Sequence, residues 1–389
     1  MNPVESIIAN TQEGLPVEGP TEDELPGPVA TSMQVLQCQF SSWYPTFSNL
    51  EGRKRSNVTI KSIIIRDLPE DLEDYLLSDG VELPLHAEKL SSCAHGNAEW
   101  SSDDDDDEQE EAKQEEREDT ADRKFYFPSL NEALVHAIES LNGSVLPKLN
   151  WSAPKDASWV NGGSLKCETP GDIYLLVKSS DFCLHDVLRK SWKNCEDHDS
   201  SEIPPKLELV LRKWCNLHPS MEFRCFVRQH ELIAISQRGH TQHYAHLLES
   251  QPRIQEILVK FFEDTIRTRF AQGEIANYVF DVYLDKKDRV WLLDFNVWAR
   301  STDSLLFEWN ELLTMDMDDD PQFRLVETAN QVRQDPLASY RAPIDTLDLA
   351  SLTGGTSKNF EEFMKQCQSP SALDTADEKE ERINLENLD

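Results

Sequence analysis

Three hard oxygen donors, Asp281, Asp294 and Asn296, interrupt the otherwise apolar stretch YVFDVYLDKKDRVWLLDFN that runs from Tyr278 to Asn296. The stretch reads as two strands, Tyr278 to Leu284 and Arg289 to Asn296. Between them, Asp285-Lys286-Lys287-Asp288 has the polar composition of a tight turn. Side chains alternate along a strand, which puts Asp294 and Asn296 on one face together with Leu292. A turn centred between Lys287 and Asp288 sets Asp281 opposite Asp294 in an antiparallel pair. Two carboxylates and an amide on one patch suit Mg²⁺, which takes one or two carboxylates and completes its shell with water and phosphate oxygens. Other apolar strands carry cations: Lys148, Arg212, Arg224 and Arg238, with Lys155 in a loop nearby. Charges set into apolar strands are costly to bury unpaired. Separated cations plus a carboxylate–amide metal site are what a nucleoside triphosphate requires. Neither G-x-x-x-x-G-K-[ST] nor G-x-G-x-x-G occurs, so neither a P-loop nor a dinucleotide-binding fold is supported.

The elements that must position these residues follow in order. Residues 1–34 are aperiodic and rich in Pro, Glu and Gly, and are expected to be disordered. QVLQCQFSSWYPTF reads as a short helix followed by an aromatic anchor, Trp43 to Phe47. Asn57 to Leu68 reads as a β-branched strand, with a short helix opened by Pro69-Glu70-Asp71 and ending at Leu77. Pro128-Ser129 begins a helix, with Glu132 as the partner of Ser129 in a capping box, a stripe of Leu130, Leu134, Ala137, Ile138 and Leu141, and Gly143 as its stop. Val145 to Asn150 is a strand carrying Lys148, and Trp151 to Trp159 a loop carrying Lys155. Asn161-Gly162-Gly163-Ser164 is a turn that can bring backbone amides to an anion. Asp172 to Lys178 looks like a strand, although Thr169-Pro170-Gly171-Asp172 equally suits a helix start. Lys190 to Pro205 reads as a loop, Lys206 to Trp214 as a strand, and Met221 to Arg238 as a hairpin with Glu222, Arg224 and Phe226 on one face. An amphipathic helix is expected from Gln251 to Phe270, with Ile254, Ile257, Leu258, Phe261, Ile266 and Phe270 inward. Ser301 to Ser304 would begin a last helix through Leu305, Leu306, Trp309 and Leu313. No further core is expected beyond Met315.

The chain has 389 residues and a formal net charge of −34, which argues against nonspecific binding of nucleic acid. Its hydrophobic content of 39% is low enough that part of the length is expected to be disordered. The run SSDDDDDEQEEAKQEEREDT, residues 101–120, reads as a solvated insertion or an electrostatic tether for a basic partner. No apolar run reaches membrane-spanning length, and the first residues lack the pattern of a signal peptide. The eight cysteines are scattered without a Cys-x-x-Cys pair and read as reduced cytosolic or nuclear thiols.

Taken in order, PKLNWSAPKDA (147–157), GSLKC (163–167), KSSDF (178–182), ELVLRKWC (208–215), EFRCFV (222–227), ISQR (235–238), FDVY (280–283), WLLDFN (291–296) and TDSLLF (302–307) resemble the cell-division-cycle protein 123 family. The resemblance covers roughly 35–313. It implies an α+β, ATP-grasp-like fold in which two α+β subdomains hold ATP and Mg²⁺ between them. Disordered acidic segments would be added at about 97–122 and 314–389. It also implies an assembly chaperone for eukaryotic translation initiation factor 2 that engages the γ subunit and turns ATP over slowly or not at all; a cytoplasmic monomer with no direct nucleic-acid or membrane contact is expected. Lys148 then resembles the lysine that meets the phosphates. Ala153 and Lys155 lie in the nucleotide-contacting loop, and Gly163 and Ser164 in the phosphate-covering turn. Arg212, Lys213 and Trp214 resemble the hinge that meets adenine, with Arg224 and Arg238 toward the phosphates. Asp281, Asp294 and Asn296 resemble the metal ligands. The sequence departs from the family pattern at Val297-Trp298, where Pro-Phe is usual, in the Gly-rich turn 161–163, and in a longer extension before Val35. Two other readings compete. One is an ATP-grasp ligase that joins a carboxylate to an amine or thiol through an acyl phosphate. The other is a zinc site of His240, His243 and His246, which share a face only if that stretch is helical.

Overall fold

Residues 27–50, 58–87, 90–91, 125–317 and 319–333 are described by the computed structural model. The chain enters through α1 (Ser32–Cys38) and α2 (Phe40–Ser48). Helix α1 opens on a capping box in which Thr31 and Gln34 satisfy each other's backbone N–H groups. The aromatic run expected as an anchor following a short helix is itself helical. Phe40, Trp43 and Phe47 recur at helical spacing and are all buried. Strand β1 (Ser62–Ile65) is shorter than its β-branched sequence suggested, and α3 (Leu72–Leu77) follows as expected. Helix α4 (Pro128–Ser140) buries Leu130, Leu134, Ala137 and Ile138, and Leu141 beyond its end. The Ser129–Glu132 capping box does not form, because the helix starts two residues earlier, with Phe127 as its N-cap and Pro128 in its first turn. Gly143 ends it at φ +83°, donating its N–H to Ile138 O at 2.8 Å.

After β2 (Val145–Lys148) comes α5 (Pro170–Lys178), which resolves the strand-or-helix ambiguity. Thr169 and Asp172 form the capping box, and every residue from Gly171 to Val177 is buried, which erased the helical period from the sequence. Replacing Thr169 by alanine is expected to cost about 1 kcal/mol of folding free energy. It should lower the urea midpoint at an unchanged slope; an unchanged midpoint would contradict it. Residues 190–205 are not all loop: α6 (Asp181–Val187) is followed by the single turn α7 (Lys190–Lys193).

Strand β3 (Leu209–Lys213) then completes a small antiparallel sheet of order β1-β3-β2. Alternation along β3 decides what this sheet does. Leu209 and Leu211 turn to one face and pack with α4 and α5. Val210 and Arg212, with their sheet partners Lys148 and Leu146, turn to the other.

The second half builds a five-stranded sheet. Strands β4 (Glu222–Arg228) and β5 (Glu231–Gln237) form a hairpin whose turn residues Gln229 and His230 both have positive φ. Helix α8 (Ala245–Phe261) starts earlier than expected and passes directly into a π-helical turn at Phe262–Ile266. That turn rotates the inward face, so Phe262 is fully buried while Phe261 and Ile257 are half-buried. Strands β6 (Tyr278–Leu284) and β7 (Val290–Val297) pair antiparallel with Asp281 opposite Asp294, but the turn is centred on Lys287, half a residue from the expected centre, so that Leu284 faces Val290 and Val282 faces Leu292. The ladder slips between Asp281 and Val282, leaving Leu293 as the extra residue of a bulge. Leu292 is therefore in the core with Phe295, not on the face of Asp294.

Residues 301–308 are not helical. Thr302 Oγ1 donates to Val297 O, Trp309 Nε1 donates to Thr302 O, and Leu305 has φ +57°. The last helix, α9, is only Trp309–Thr314. Beyond Met315 the core continues: β8 (Gln322–Arg324) lies parallel to β5, and Leu325 and Val326 are buried. The sheet order is β7-β6-β4-β5-β8. One face carries Phe223, Cys225, Phe280 and Phe295 against α2 and α8; the other carries Phe226 and Val279 against Trp298, Phe307 and Trp309. The Val297-Trp298 departure is absorbed there, with Trp298 packed edge-on against Trp309 at 5.1 Å. The remaining expectations of disorder, over 1–26, about 97–122 and 334–389, lie outside the described residues. No helix among the described residues is long and apolar enough to cross a membrane.

Candidate functional site

The two sheets face each other across a cleft of about 480 Å³. Segment 58–60 ties them together, with Leu292 N–H donating to Val58 O at 2.8 Å. One wall comes from the small sheet: Leu146 and Lys148 of β2, and Arg212 and Lys213 of β3 running into Trp214. The opposite wall is Glu222 of β4, Arg238 just past β5, Asp281 of β6, and Leu293 and Asp294 of β7. Ala153, Lys155, Gly163 and Ser164 border it from the loops after β2.

Lys148, only 2% exposed, spans the cleft with its ammonium 2.5 Å from Asp294 Oδ2. It also donates to Trp151 O. Arg212 is half-buried, and burial pushes its guanidinium downward from its ordinary pKa against the pull of Asp294. Its Nε is a buried donor without a hydrogen-bond partner in the structure. Arg238 donates to Glu222 Oε2 at 2.9 Å and to Asp281 Oδ2 at 3.2 Å. Burial would lower its pKa, but those two carboxylates raise it. Half-buried Lys155 has no such balance. Burial, then the positive charge of Arg238, pushes its ammonium down to about 7 although Glu222 and Asp281 oppose them.

Asp281, Asp294 and Asn296 do converge: Asn296 Nδ2 donates to Asp281 Oδ2 at 3.3 Å, and Asp281 sits opposite Asp294. Asp281 is already clasped. Arg224 donates to both of its oxygens, at 2.7 and 2.8 Å, and to Asp303 O at 2.7 Å. Burial would raise the carboxyl, but Arg224 and Arg238 outweigh it and hold it well below the usual carboxylate range. Arg224 therefore lies behind Asp281 and not among the cleft-lining residues toward which its family position pointed. Asp294, partly exposed and turned to the cleft, is the more accessible carboxylate.

The Gly-rich turn also differs from its expected part. Gly162 and Gly163 adopt φ of +61° and +80°, but both N–H groups donate to Ser158 O, and Ser164 N–H donates to Asn161 O. These amides are spent inside the turn, so it covers the cleft without supplying an anion nest. At the hinge, Lys213 N–H and Trp214 N–H donate to Lys61 O and Ser144 O. A base lodged there would meet carbonyls and the amides further on, near Cys215, Asn216 and Leu217, which line the cleft. Sequence reasoning did not place those residues in the site, nor Glu222 or the apolar wall of Ile60, Leu146, Leu165 and Leu293. Glu222 was legible in principle, two residues before Arg224 on the same strand face. The zinc reading falls. His240 and His243 precede α8 and only His246 lies in it. No group of three or more His, Cys, Asp or Glu side chains among the described residues could hold a metal ion.

The lining of the cleft is cationic: Lys148, Lys155, Arg212, Lys213 and Arg238 outnumber Glu222, Asp281 and Asp294, and the buried Nε–H of Arg212 has no hydrogen-bond partner among the described residues, which is chemistry suited to a polyanion. The donor set fits magnesium by type, with carboxylate and amide oxygens of Asp294 and Asn296 backed by Asp281.

A family model described as D123 matches residues 43–350. A Xenopus tropicalis protein named translation initiation factor eIF2 assembly protein is 41% identical over 350 residues, covering 85% of this chain and 96% of its own. A Dictyostelium discoideum protein of the same name is 35% identical over 378 residues, covering 82% of this chain and 92% of its own. The solved structure of C-terminally truncated Cdc123 from Schizosaccharomyces pombe superposes with a TM-score of 0.59 at 34% identity, covering 77% of this chain and 99% of that one. The two-sheet α+β architecture is thus shared with Cdc123, and the chain belongs to the D123 family.

Proposed function

We propose that this chain binds ATP with magnesium in the cleft and acts as an assembly chaperone for translation initiation factor eIF2, engaging its γ subunit. The observation that carries the nucleotide reading is the meeting of Lys148 and Asp294 across the cleft, beside the partnerless Arg212 Nε. The assembly role is supported by the relatives named eIF2 assembly protein. The triphosphate is met by Lys148 and Arg212 from the small sheet and by Lys155 and Arg238 from the other side. The adenine lies toward Lys213 to Leu217, between the apolar walls. Asp294 and Asn296, with Asp281 behind them, would hold the magnesium ion. Bound there, the ion would supply charge neutralisation for the phosphates. Because the ligands come from both sheets, the nucleotide fixes one half of the chain against the other. This organises the surface offered to the γ subunit. No step here consumes ATP, and the chain works as a cytoplasmic monomer.

Calorimetric titration with Mg·ATP tests the reading. Micromolar binding is expected for the wild type, about 100-fold weaker for Asp294→Ala. Co-purification of the γ subunit should fall in the same variant. Absence of binding to the wild type, or equal affinity in the variant, would refute the nucleotide site. Equal γ-subunit recovery with and without Mg·ATP would refute the link between nucleotide and partner.

A further inference from the structure

We propose that Asp186 is a positioning residue of the cleft, acting on Lys148 through the peptide unit between Trp151 and Ser152. Asp186 belongs to α6, which contributes no residue to the cleft lining, and it is completely buried. Its carboxylate takes three hydrogen bonds, all from one short turn. Trp151 N–H and Ser152 N–H donate to Oδ2 at 2.9 and 2.8 Å, and Ser152 Oγ donates to Oδ1 at 2.9 Å. Burying an anion is costly, and these donors offset only part of it, since burial still pushes the carboxyl upward.

The consequence for the site follows from peptide planarity. Ser152 N–H and Trp151 C=O belong to the same trans peptide unit, so they point in opposite directions. Fixing the N–H on Asp186 aims the carbonyl the other way, and that carbonyl accepts from Lys148 Nζ. Lys148 in turn reaches Asp294 at 2.5 Å. Asp186, the 151–152 peptide, Lys148 and Asp294 form one polarised chain from α6 to β7. The same turn is held by Leu149 N–H to Ser152 O at 2.9 Å, and Trp151 Nε1 donates to Val35 O at 2.8 Å. Without the carboxylate the turn keeps those ties, but the orientation of the one peptide that holds Lys148 is no longer imposed. The inference deepens the nucleotide reading and rests on it for its effect on affinity.

The test pairs a probe of Lys148 with a double-mutant cycle. Pulse labelling of lysines with acetic anhydride, read by mass spectrometry, should show Lys148 reacting about tenfold faster in Asp186→Asn, by analogy with the loss of other supporting hydrogen-bond partners. The other lysines should keep their wild-type rates. Ser152→Ala, which removes one of the three donors, should give a smaller rise at Lys148 alone. In Mg·ATP calorimetry, Asp186→Asn is expected to weaken binding about 10- to 100-fold in the wild-type background and not at all in Lys148→Met. Unchanged Lys148 labelling in both variants overturns the inference while ATP binding by the wild type still stands. So does an equal affinity loss in both backgrounds, or faster labelling spread over all lysines. If the wild type binds no ATP, the nucleotide reading fails. Selective labelling of Lys148 would then still place Asp186 in control of the Lys148–Asp294 pair.

Discussion

Replacing Asp281 by alanine is expected to lower the folding free energy by about 3–5 kcal/mol, the range for removing one partner of a buried ion pair. The total stability of a domain is about 5–15 kcal/mol, so such a loss takes a large part of it. The magnitude comes from what is left behind. Arg224, 8% exposed, would lose both of its carboxylate bonds and keep only Asp303 O. Arg238 would keep only Glu222. A pH series gives an independent reading. The folded carboxyl is held below its unfolded value of about 3.9. Its contribution is therefore fully present above that unfolded value and lost as pH falls toward the lower folded value. Urea midpoints of the wild type should drop more steeply below pH 4 than those of Asp281→Asn, so that the two curves approach one another. Parallel curves would mean that Asp281 is not the carboxylate clasped by the two arginines. Adding Arg224→Met to Asp281→Ala should restore part of the loss, because it removes one of the stranded charges.

The sequence carried the hairpin of β6 and β7, because polar turn chemistry and alternation agree there, but the turn is centred on Lys287 and not between Lys287 and Asp288, so Asp281 comes opposite Asp294 only through the bulge. The bulge at Leu293 was not legible. One extra residue leaves no mark in composition, yet it moves Leu292 to the core and gives Leu293 to the cleft. Helix α5 hid its period because all sides of Gly171–Val177 are buried; only the Thr169–Asp172 cap betrayed it. Strand β8 has three residues in a polar, acidic stretch, and its existence follows from the open edge of β5. In the site, strand alternation put Arg224 on a face with Glu222, and nothing in the sequence paired it with Asp281, as β4 and β6 do. Alternation could not tell that the arginine would lie behind the carboxylate and be consumed by it. Spacing likewise marked the Gly-rich turn, while the fate of its amides was decided by the 3₁₀ turn at Ser158–Asn161, whose Ser158 carbonyl takes two of them. Cations in apolar strands were legible because burial makes them conspicuous; their pairing is a tertiary fact.

That pairing leads to the second large effect: the affinity for Mg·ATP should fall as pH rises from 7.5 to 9.5, through Lys155. In the free chain the ammonium of Lys155 loses its proton near 7, because burial and then Arg238 disfavour the charge. An ATP phosphate beside it favours the charged form and returns the pKa toward the ordinary lysine value of about 10.4. Binding therefore takes up a proton whenever the pH lies between the free and bound values. Over that window linkage weakens binding roughly tenfold for each pH unit, up to about 100-fold across two units. Phosphate groups titrate near 6, below this window, so they do not generate the slope. Lys155→Arg, whose guanidinium stays charged throughout, should bind with a nearly flat profile. Lys155→Met should also be flat, but at the weak affinity the wild type reaches at high pH. Calorimetry in two buffers of different ionisation enthalpy would count the proton directly. Proton uptake of about one half is expected near pH 7, where half of the free chains carry a neutral Lys155, rising toward one as pH increases. A wild-type profile as flat as that of Lys155→Arg would place this lysine outside the phosphate-binding set and leave Lys148, Arg212 and Arg238 to neutralise the triphosphate.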